Sequence, residues 1–167
     1  MGVDMLKLSK CMVVIAVALF FSITVFNNVI DYEKTFVFTY HTLSMDTTAQ
    51  NPHFMGRAIT NIVIQHAVFL SIILTQSVIA LLCWTSLALM IREHKRNDGF
   101  IKAKNLAVFA CCLGFILYGL GFMTLAGQWF MMRESSVWNV QNSIHLFLTF
   151  LGFSMMYLYF PDSTESQ

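Results

Sequence analysis

The sequence predicts an all-α protein, a four-helix transmembrane bundle with a long outer loop between its first and second spans. Of its 167 residues, 57% are hydrophobic and only 11% are charged, whereas a soluble domain carries roughly 25% charged residues. The charges are clumped, and uncharged runs cover residues 11–30, 58–91, 105–132 and 135–161. Each run reaches the roughly 20 residues that a helix needs to cross about 30 Å of hydrocarbon. We therefore predict one integral membrane domain, residues 1–167, with spans at 10–30, 63–91, 105–130 and 142–160.

The first span is expected to stay uncleaved, and the basic residues predict its orientation. No A-x-A-like cleavage site follows the first apolar run, as a signal peptide would require. Seven Lys and Arg residues fall in the N-terminal tail and in the loop 92–104, against three on the other side (Lys34, Arg57 and Arg133). The positive-inside rule therefore predicts that both termini and the loop 92–104 are cytoplasmic.

The outer loop, residues 31–57, is too long for a simple connector. Tyr32, Phe36, Tyr40 and Leu43 would share one face of a short interfacial helix. An extended segment is the alternative, because Phe36, Phe38 and Tyr40 also alternate. The short polar side chains that follow predict a turn or helix cap anchored by Asp46.

The third span carries a stripe of small residues at helical spacing. Its members are Ala107, Ala110, Gly114, Tyr118 and Gly121. Such a stripe lets helix backbones approach closely in lipid. It serves either packing within the bundle or docking of another protein's helix, and we expect internal packing.

Polar residues that depart from the lipid pattern concentrate at the outer ends of the spans, and we call the candidate binding residues among them the outer polar cluster. Its members are His41, Asp46, Arg57, His66, Gln128, Trp129, Trp138, Asn139, Gln141 and His145. They could simply bond to one another and to water in the headgroup region. They could also bind a quinone headgroup, a lipid or a partner subunit. A haem held by His66 and His145 is a third interpretation, which we do not favour because two histidines on separate helices are a weak signal.

Two blocks of the sequence resemble a bacterial family of predicted small integral membrane proteins of unknown function. The first block comprises residues 27–32, 41–48 (HTLSMDTT) and 57–59, and the second comprises residues 127–130 (GQWF) and 138–141 (WNVQ). Both blocks keep the family's order and spacing, so the resemblance covers essentially the whole chain. It implies a four-span protein of the bacterial inner membrane without an established activity.

The chain departs from the pattern of that family at three positions. Gln76 and Gln128 stand where an acidic residue is common, and His145 stands where a basic residue is expected. These departures argue against a mechanism that needs a buried carboxylate, such as proton-coupled transport. The matching residues lie on the outer side, and we expect an Asp46–Arg57 pair to hold the outer loop over the bundle.

The sequence offers no motif for catalysis or for a cofactor. Nucleotide-binding, hydrolase and zinc-protease patterns are absent. The four cysteines show no zinc or haem-attachment spacing, so we expect buried reduced thiols. A net charge of +1 gives no support to nucleic-acid binding. We therefore expect a non-enzymatic protein without a cofactor.

Three functional hypotheses follow. The leading one is an accessory subunit that contacts the lipid bilayer and other subunits of a larger membrane complex, such as a respiratory enzyme. The second is a homo-oligomer for small-molecule or ion permeation, with Gln76 lining a shared pore. The third is a haem- or quinone-binding electron-transfer subunit.

Overall fold

The computed structural model describes residues 2–48 and 52–161, and within them the chain is all-α, which confirms the predicted fold class. The helices are α1 (Gly2–Ile30), α2 (Tyr32–Ser44), α3 (Pro52–Met55), α4 (Ile62–Arg92), α5 (Asn97–Ile116) and α6 (Gln141–Tyr159). α5 continues directly into a π-helix, Leu117–Trp129, and a short 3₁₀ turn, Met132–Glu134, follows it. The long helices occupy the ranges in which the apolar runs predict spans.

Three segments of the described chain are long and apolar enough to cross a membrane. They are Met5–Ile30, Ile62–Arg92 and Asn97–Trp129. α6 has 19 residues, which corresponds to about 28 Å at 1.5 Å per residue. Its first turn carries Gln141 and Asn142, and His145 follows. The protein is therefore membrane-embedded and contacts the bilayer, while the crossing by α6 stays a prediction.

The four long helices form a ring in which α1 and α5 each pack against both α4 and α6. At one end of the ring, the Lys7 amine donates to the carbonyl of His94 at 2.9 Å and to Oδ1 of Asn97 at 2.8 Å. The Lys10 amine donates to the carbonyl of Phe160 at 2.7 Å. The start of α1, the α4–α5 loop and the end of α6 therefore meet at the same end, which we call the inner end. That it faces the cytoplasm stays a prediction.

Three basic residues of the inner end are buried, and two of them bond to the ends of other helices. Lys7, Lys10 and Lys104 are 5%, 1% and 2% exposed. The Lys7 and Lys10 amines lie at the C-terminal ends of α4 and α6, where unpaired carbonyls and the helix dipole favour a positive charge. Two of the charges that predict orientation therefore also bind helices together.

The small-residue stripe packs inside the bundle, as expected. Ala107, Ala110 and Gly114 are buried, and so is Tyr118. A Cβ atom added at Gly114 would lie 2.9 Å from Cζ of Phe21 and 3.1 Å from Cδ1 of Leu151. Glycine is therefore required where α5 crosses α1 and α6. Gly121 is the exception in the stripe, since it borders a cavity described below.

Gln76, the deepest polar residue, lies inside the bundle and is 3% exposed. Its side-chain oxygen accepts a hydrogen bond from Nδ2 of Asn28 at 2.9 Å. Gln76 thus links α1 and α4 within one chain. The expectation that it lines a pore shared between copies is wrong.

Candidate functional site

α2 covers the outer end of the bundle and packs against α1 and α4. Its buried face consists of Phe36, Thr39, Thr42 and Leu43. The helical alternative for this segment is confirmed and the extended one is wrong. Tyr40, which the sequence places on the same face, is 39% exposed, because the buried face is centred on Phe36, Thr39 and Leu43 and leaves Tyr40 at its edge.

The end of α2 is fixed by a turn anchored by Asp46, as predicted. Met45 adopts a left-handed conformation (φ 55°), and its N–H donates to the carbonyl of His41. This reversal brings the Asp46 carboxylate to Nδ1 of His41, with oxygens at 2.8 and 2.9 Å. The His41 ring also stacks on Trp138, with 4.9 Å between ring centroids. The contact ties α2 to the loop before α6.

The predicted Asp46–Arg57 pair is wrong, because the two side chains have other partners. Asp46 is folded back onto His41. The Arg57 guanidinium lies over the rings of Phe54 and Trp129, at 4.8 and 4.5 Å from their centroids. Its Nη1 reaches the carbonyl of Trp129 at 3.5 Å. Arg57 therefore joins the outer loop to the end of the π-helix through aromatic contacts.

His66 and His145 lie in different surroundings. Nδ1 of His66 and the hydroxyl of Tyr32 form a hydrogen bond of 2.9 Å, and the His66 ring stacks on Phe36 at 4.0 Å. His145 is exposed on α6, which stands across the ring from α4. The structure does not bring these two imidazoles together. Among the described residues, no group of three or more His, Cys, Asp or Glu side chains could hold a metal ion.

The remaining members of the outer polar cluster surround the start of α6. Nδ2 of Asn139 donates to the carbonyl of Arg133 at 2.9 Å, and its Oδ1 accepts from the N–H of Gln141 at 3.1 Å. A Cβ atom at Gly127 would lie 3.0 Å from Nε2 of Gln141, so the two chain segments are in close contact. Gln128 is exposed. The outer polar cluster is therefore several separate contacts and not one site.

We call α2 with its turn (residues 32–48), the segment 52–61 and the loop 130–140 the outer cap. Two polar residues outside the predicted cluster hold the outer cap together. Gln65 is fully buried, and its Nε2 donates to Oγ of Ser44 at 2.9 Å and to the carbonyl of Ile59 at 2.6 Å. Oγ of Ser135 accepts from the N–H of Trp138 at 2.9 Å and bonds to Thr47 at 3.0 Å. A polar residue in the first turn of a long apolar helix is a signal that could have identified Gln65.

A cavity of about 280 Å³ lies between α2, α4 and the π-helix, and nothing in the sequence pattern indicates it. Nearly all of its lining side chains are apolar. Thr39, Thr42 and Ser71 are the polar ones among the lining residues. The Thr42 hydroxyl is buried and has no hydrogen-bond partner in the described part of the chain. This cavity is partly open at the surface of the bundle and is large enough to receive a small apolar ligand.

A family model described as "Predicted small integral membrane protein (DUF2165)" matches residues 6–161. The chain belongs to this family. No curated protein and no solved structure matches the chain. Membership agrees with the membrane-embedded helical bundle and carries no assigned activity.

The segments that carry the family resemblance meet in the outer cap. Residues 41–48 form the end of α2 and its turn, and residues 138–141 lead into α6. The stacking of His41 on Trp138 joins the two segments directly. In this member of the family, the most recognisable residues therefore fix the outer cap.

Proposed function

We propose that this chain is a non-catalytic protein of the bacterial inner membrane that acts by association, as an accessory subunit of a larger membrane complex. The observation that carries the proposal is the arrangement of Arg57 on the outer cap. Its guanidinium is held on Phe54 and Trp129, and Trp129 is 52% exposed. Arg and Trp are the residue types that most often dominate the energy of protein–protein contacts.

Arg57 is prepared to bind a carboxylate from another protein. A guanidinium has five N–H donors, and in the described residues one of them makes a single long contact of 3.5 Å to the Trp129 carbonyl. The aromatic rings fix the plane of the group without using its donors, which lowers the entropy lost on binding. The partner that fits is a membrane subunit with an acidic residue at its outer surface.

The engagement of the other reactive side chains supports a non-catalytic role without a cofactor. His41 is bound to Asp46, His66 to Tyr32, and Ser44 receives a hydrogen bond from Gln65. Each contact fixes a helix or a turn of the outer cap. A nucleophile and a base need to be within hydrogen-bond reach of each other and of a substrate, and the described contacts use these groups for structure.

The proposed orientation places Arg57 on the periplasmic side. It rests on the seven Lys and Arg residues predicted for the cytoplasmic side. The grouping of the start of α1, the α4–α5 loop and the end of α6 at the inner end is consistent with it. An accessory role would therefore be exercised through the outer cap.

Affinity purification of the tagged full chain from its native membrane in mild detergent tests the proposal. We expect other subunits to co-purify in a fixed stoichiometry with the wild type. Arg57→Gln should lose them. Arg133→Gln is the matched control, because Arg133 is an exposed arginine on the same outer side, and it should retain them.

Four outcomes would contradict the proposal. A clean monomer without partners would remove the association, and a homogeneous self-oligomer would replace it with the permeation hypothesis. Equal retention of subunits by Arg57→Gln would show that the association does not use this surface. A Soret band in the purified protein would contradict the absence of a haem.

A further inference from the structure

We propose that the cavity between α2, α4 and the π-helix binds one acyl chain of a bilayer lipid, and that the rings of Phe38 and Phe122 limit the length of chain that it accepts. The cavity volume of about 280 Å³ is close to the lower end of the roughly 300–1,000 Å³ of small-molecule sites. The proposal concerns a lipid bound by this chain alone and is independent of the protein partner that Arg57 would contact.

The cavity opens toward the bilayer. Ser71 on α4 and Leu125 on the π-helix both line it, and both are exposed on the surface of the bundle. They lie within the segments that are long and apolar enough to cross the membrane. Leu125 precedes the end of the π-helix at Trp129 by four residues, and a tryptophan at the end of a span is typical of the headgroup level. A chain therefore enters sideways between α4 and the π-helix while its headgroup stays at the membrane surface.

The wall of the cavity favours a hydrocarbon over a polar ligand. Among the described residues, the wall contains no ionisable side chain. Thr39 and Thr42 are each 5% exposed, and the Thr42 hydroxyl is out of reach of a ligand. The Ser71 hydroxyl already donates to the carbonyl of Val68 at 2.7 Å. A polar group would lose its hydration in this space without gaining a partner, so the apolar part of a lipid fits best.

An acyl chain is the occupant that the size and the location of the cavity favour. The walls of an empty apolar cavity lose van der Waals contacts, and such cavities stay dry but take up apolar molecules. The molecules at an opening between two membrane-spanning segments are the chains of lipids. A flexible chain passes between α4 and the π-helix without separating them, whereas the helix of a partner protein, about 10–12 Å in diameter, is too wide for this space.

Two aromatic rings separate the cavity from a second one. Phe38 of α2 and Phe122 of the π-helix line the first cavity, and both also line an apolar cavity of about 240 Å³ beside the start of α6. Their rings stack with 6.1 Å between centroids. Removal of either ring would join the two cavities into one longer space. In the wild type, the ring pair therefore stops the chain that enters from the side of Leu125.

The π-helix supplies the space that the chain occupies. π-helical turns are rare and frequently occur at functional sites. Gly121 lies in this helix and lines the cavity. A Cβ atom added there would have Cδ1 of Leu117 as its nearest contact, at 3.8 Å. A larger side chain at Gly121 therefore has room to extend and would fill the cavity without a clash at its base.

The test counts bound lipids by native mass spectrometry of the full chain, purified in a steroid-based detergent that has no flexible chain to compete for the cavity. The probes are lauroyl and stearoyl lysophosphatidylcholine in equal amounts, which share a headgroup and differ in chain length. We expect one tightly bound copy per wild-type chain, and Gly121→Leu should lose it. Gly152→Leu is the matched control and should retain it, because its added Cβ would also have its nearest contact at 3.8 Å but lies outside the cavity.

The ratio of the two bound probes tests the role of the ring pair. Phe122→Ala should raise the ratio of stearoyl to lauroyl about two- to fivefold over the wild type. The change is modest because a methylene group that leaves a micelle for the cavity gains van der Waals contacts but little hydrophobic free energy. Both proteins meet the same mixture, so the partition of the probes into detergent cancels. Phe115→Ala, an exposed phenylalanine outside both cavities, is the control and should leave the ratio unchanged.

Two reserve variants apply if the first ones do not fold, as judged by helical circular dichroism. Leu125→Trp would block the opening in place of Gly121→Leu. Its control is Leu120→Trp, at a similarly exposed position of the same π-helix outside the lining. Phe38→Ala would replace Phe122→Ala, because the loss of either ring joins the cavities.

The outcomes decide for or against the proposal without reference to the partner of Arg57. Loss of the bound copy in Gly121→Leu, together with the higher ratio in Phe122→Ala, supports it. A wild type that binds no copy overturns it, and so does a folded Gly121→Leu that keeps its copy. An unchanged ratio in folded Phe122→Ala overturns the role of the ring pair. An isoprenoid lipid retained from the native membrane in place of an acyl lipid overturns the assignment of the chain.

Discussion

Replacement of Thr42 by Val should stabilise the protein. Valine has nearly the volume and the branching of threonine, so the change exchanges a hydroxyl for a methyl group and leaves the packing around it. The Thr42 side chain is 5% exposed and its Oγ1 has no partner among the described residues. The two residues also have similar helix propensities, so α2 itself should be unaffected.

The expected gain is about 1–3 kcal/mol in the free energy of unfolding. Leaving a buried hydroxyl without a hydrogen bond costs about this amount, and the valine removes that cost. A methyl group in place of the hydroxyl also adds buried apolar surface, which acts in the same direction.

The assay is equilibrium unfolding in mixed micelles, followed by the loss of helical circular dichroism. Thr24→Val is the control, since the Thr24 hydroxyl donates to the carbonyl of Phe20 at 2.8 Å. The control should be neutral or slightly destabilised. Destabilisation of Thr42→Val by about 1 kcal/mol or more would refute the reasoning, because it would mean that the hydroxyl makes a favourable bond inside the protein.

Three further substitutions test the packing of the bundle and of the outer cap. Gly114→Ala should lower the unfolding midpoint by an amount equivalent to about 1–3 kcal/mol, because its Cβ would lie 2.9 Å from a phenylalanine ring. Gln76→Leu should cost about 1–3 kcal/mol in the same assay by leaving Asn28 without an acceptor, and the double variant with Asn28→Leu should recover most of it. Asp46→Ala should speed protease cleavage of the outer loop by up to about fivefold, since its partly exposed pair with His41 is worth about 1 kcal/mol at most; unchanged protection would contradict that role.

The sequence predicts the long helices well because the hydrocarbon of the bilayer favours a helix in any sufficiently long apolar run. Hydrocarbon forces every backbone polar group into an intrahelical bond, so an uncharged run of sufficient length becomes a helix whatever its neighbours are. The predicted span 63–91 and the helix Ile62–Arg92 differ by one residue at each end. The small-residue stripe is predictable for a similar reason, since Gly114 marks a close helix crossing by its type alone.

The contacts of the outer cap are less predictable, because they depend on how one turn is closed. Charge type suggests Asp46 and Arg57 as a pair. The left-handed conformation of Met45 turns Asp46 back onto His41 instead, and Arg57 is then held by rings. A one-residue difference in where α2 ends would change both partners. The residue types alone do not predict the residue at which α2 ends.

The outer cap and the cavity are coupled through α2. His41 is fixed from two directions, by the Asp46 carboxylate and by the ring of Trp138, and the next residue along the helix, Thr42, faces the cavity. A helix residue cannot move without carrying its neighbour. The contacts of the outer cap therefore set the position of Thr42 in the wall of the cavity. The polar contacts of the outer cap therefore fix α2, and the buried face of α2 packs on the bundle and borders the apolar cavity.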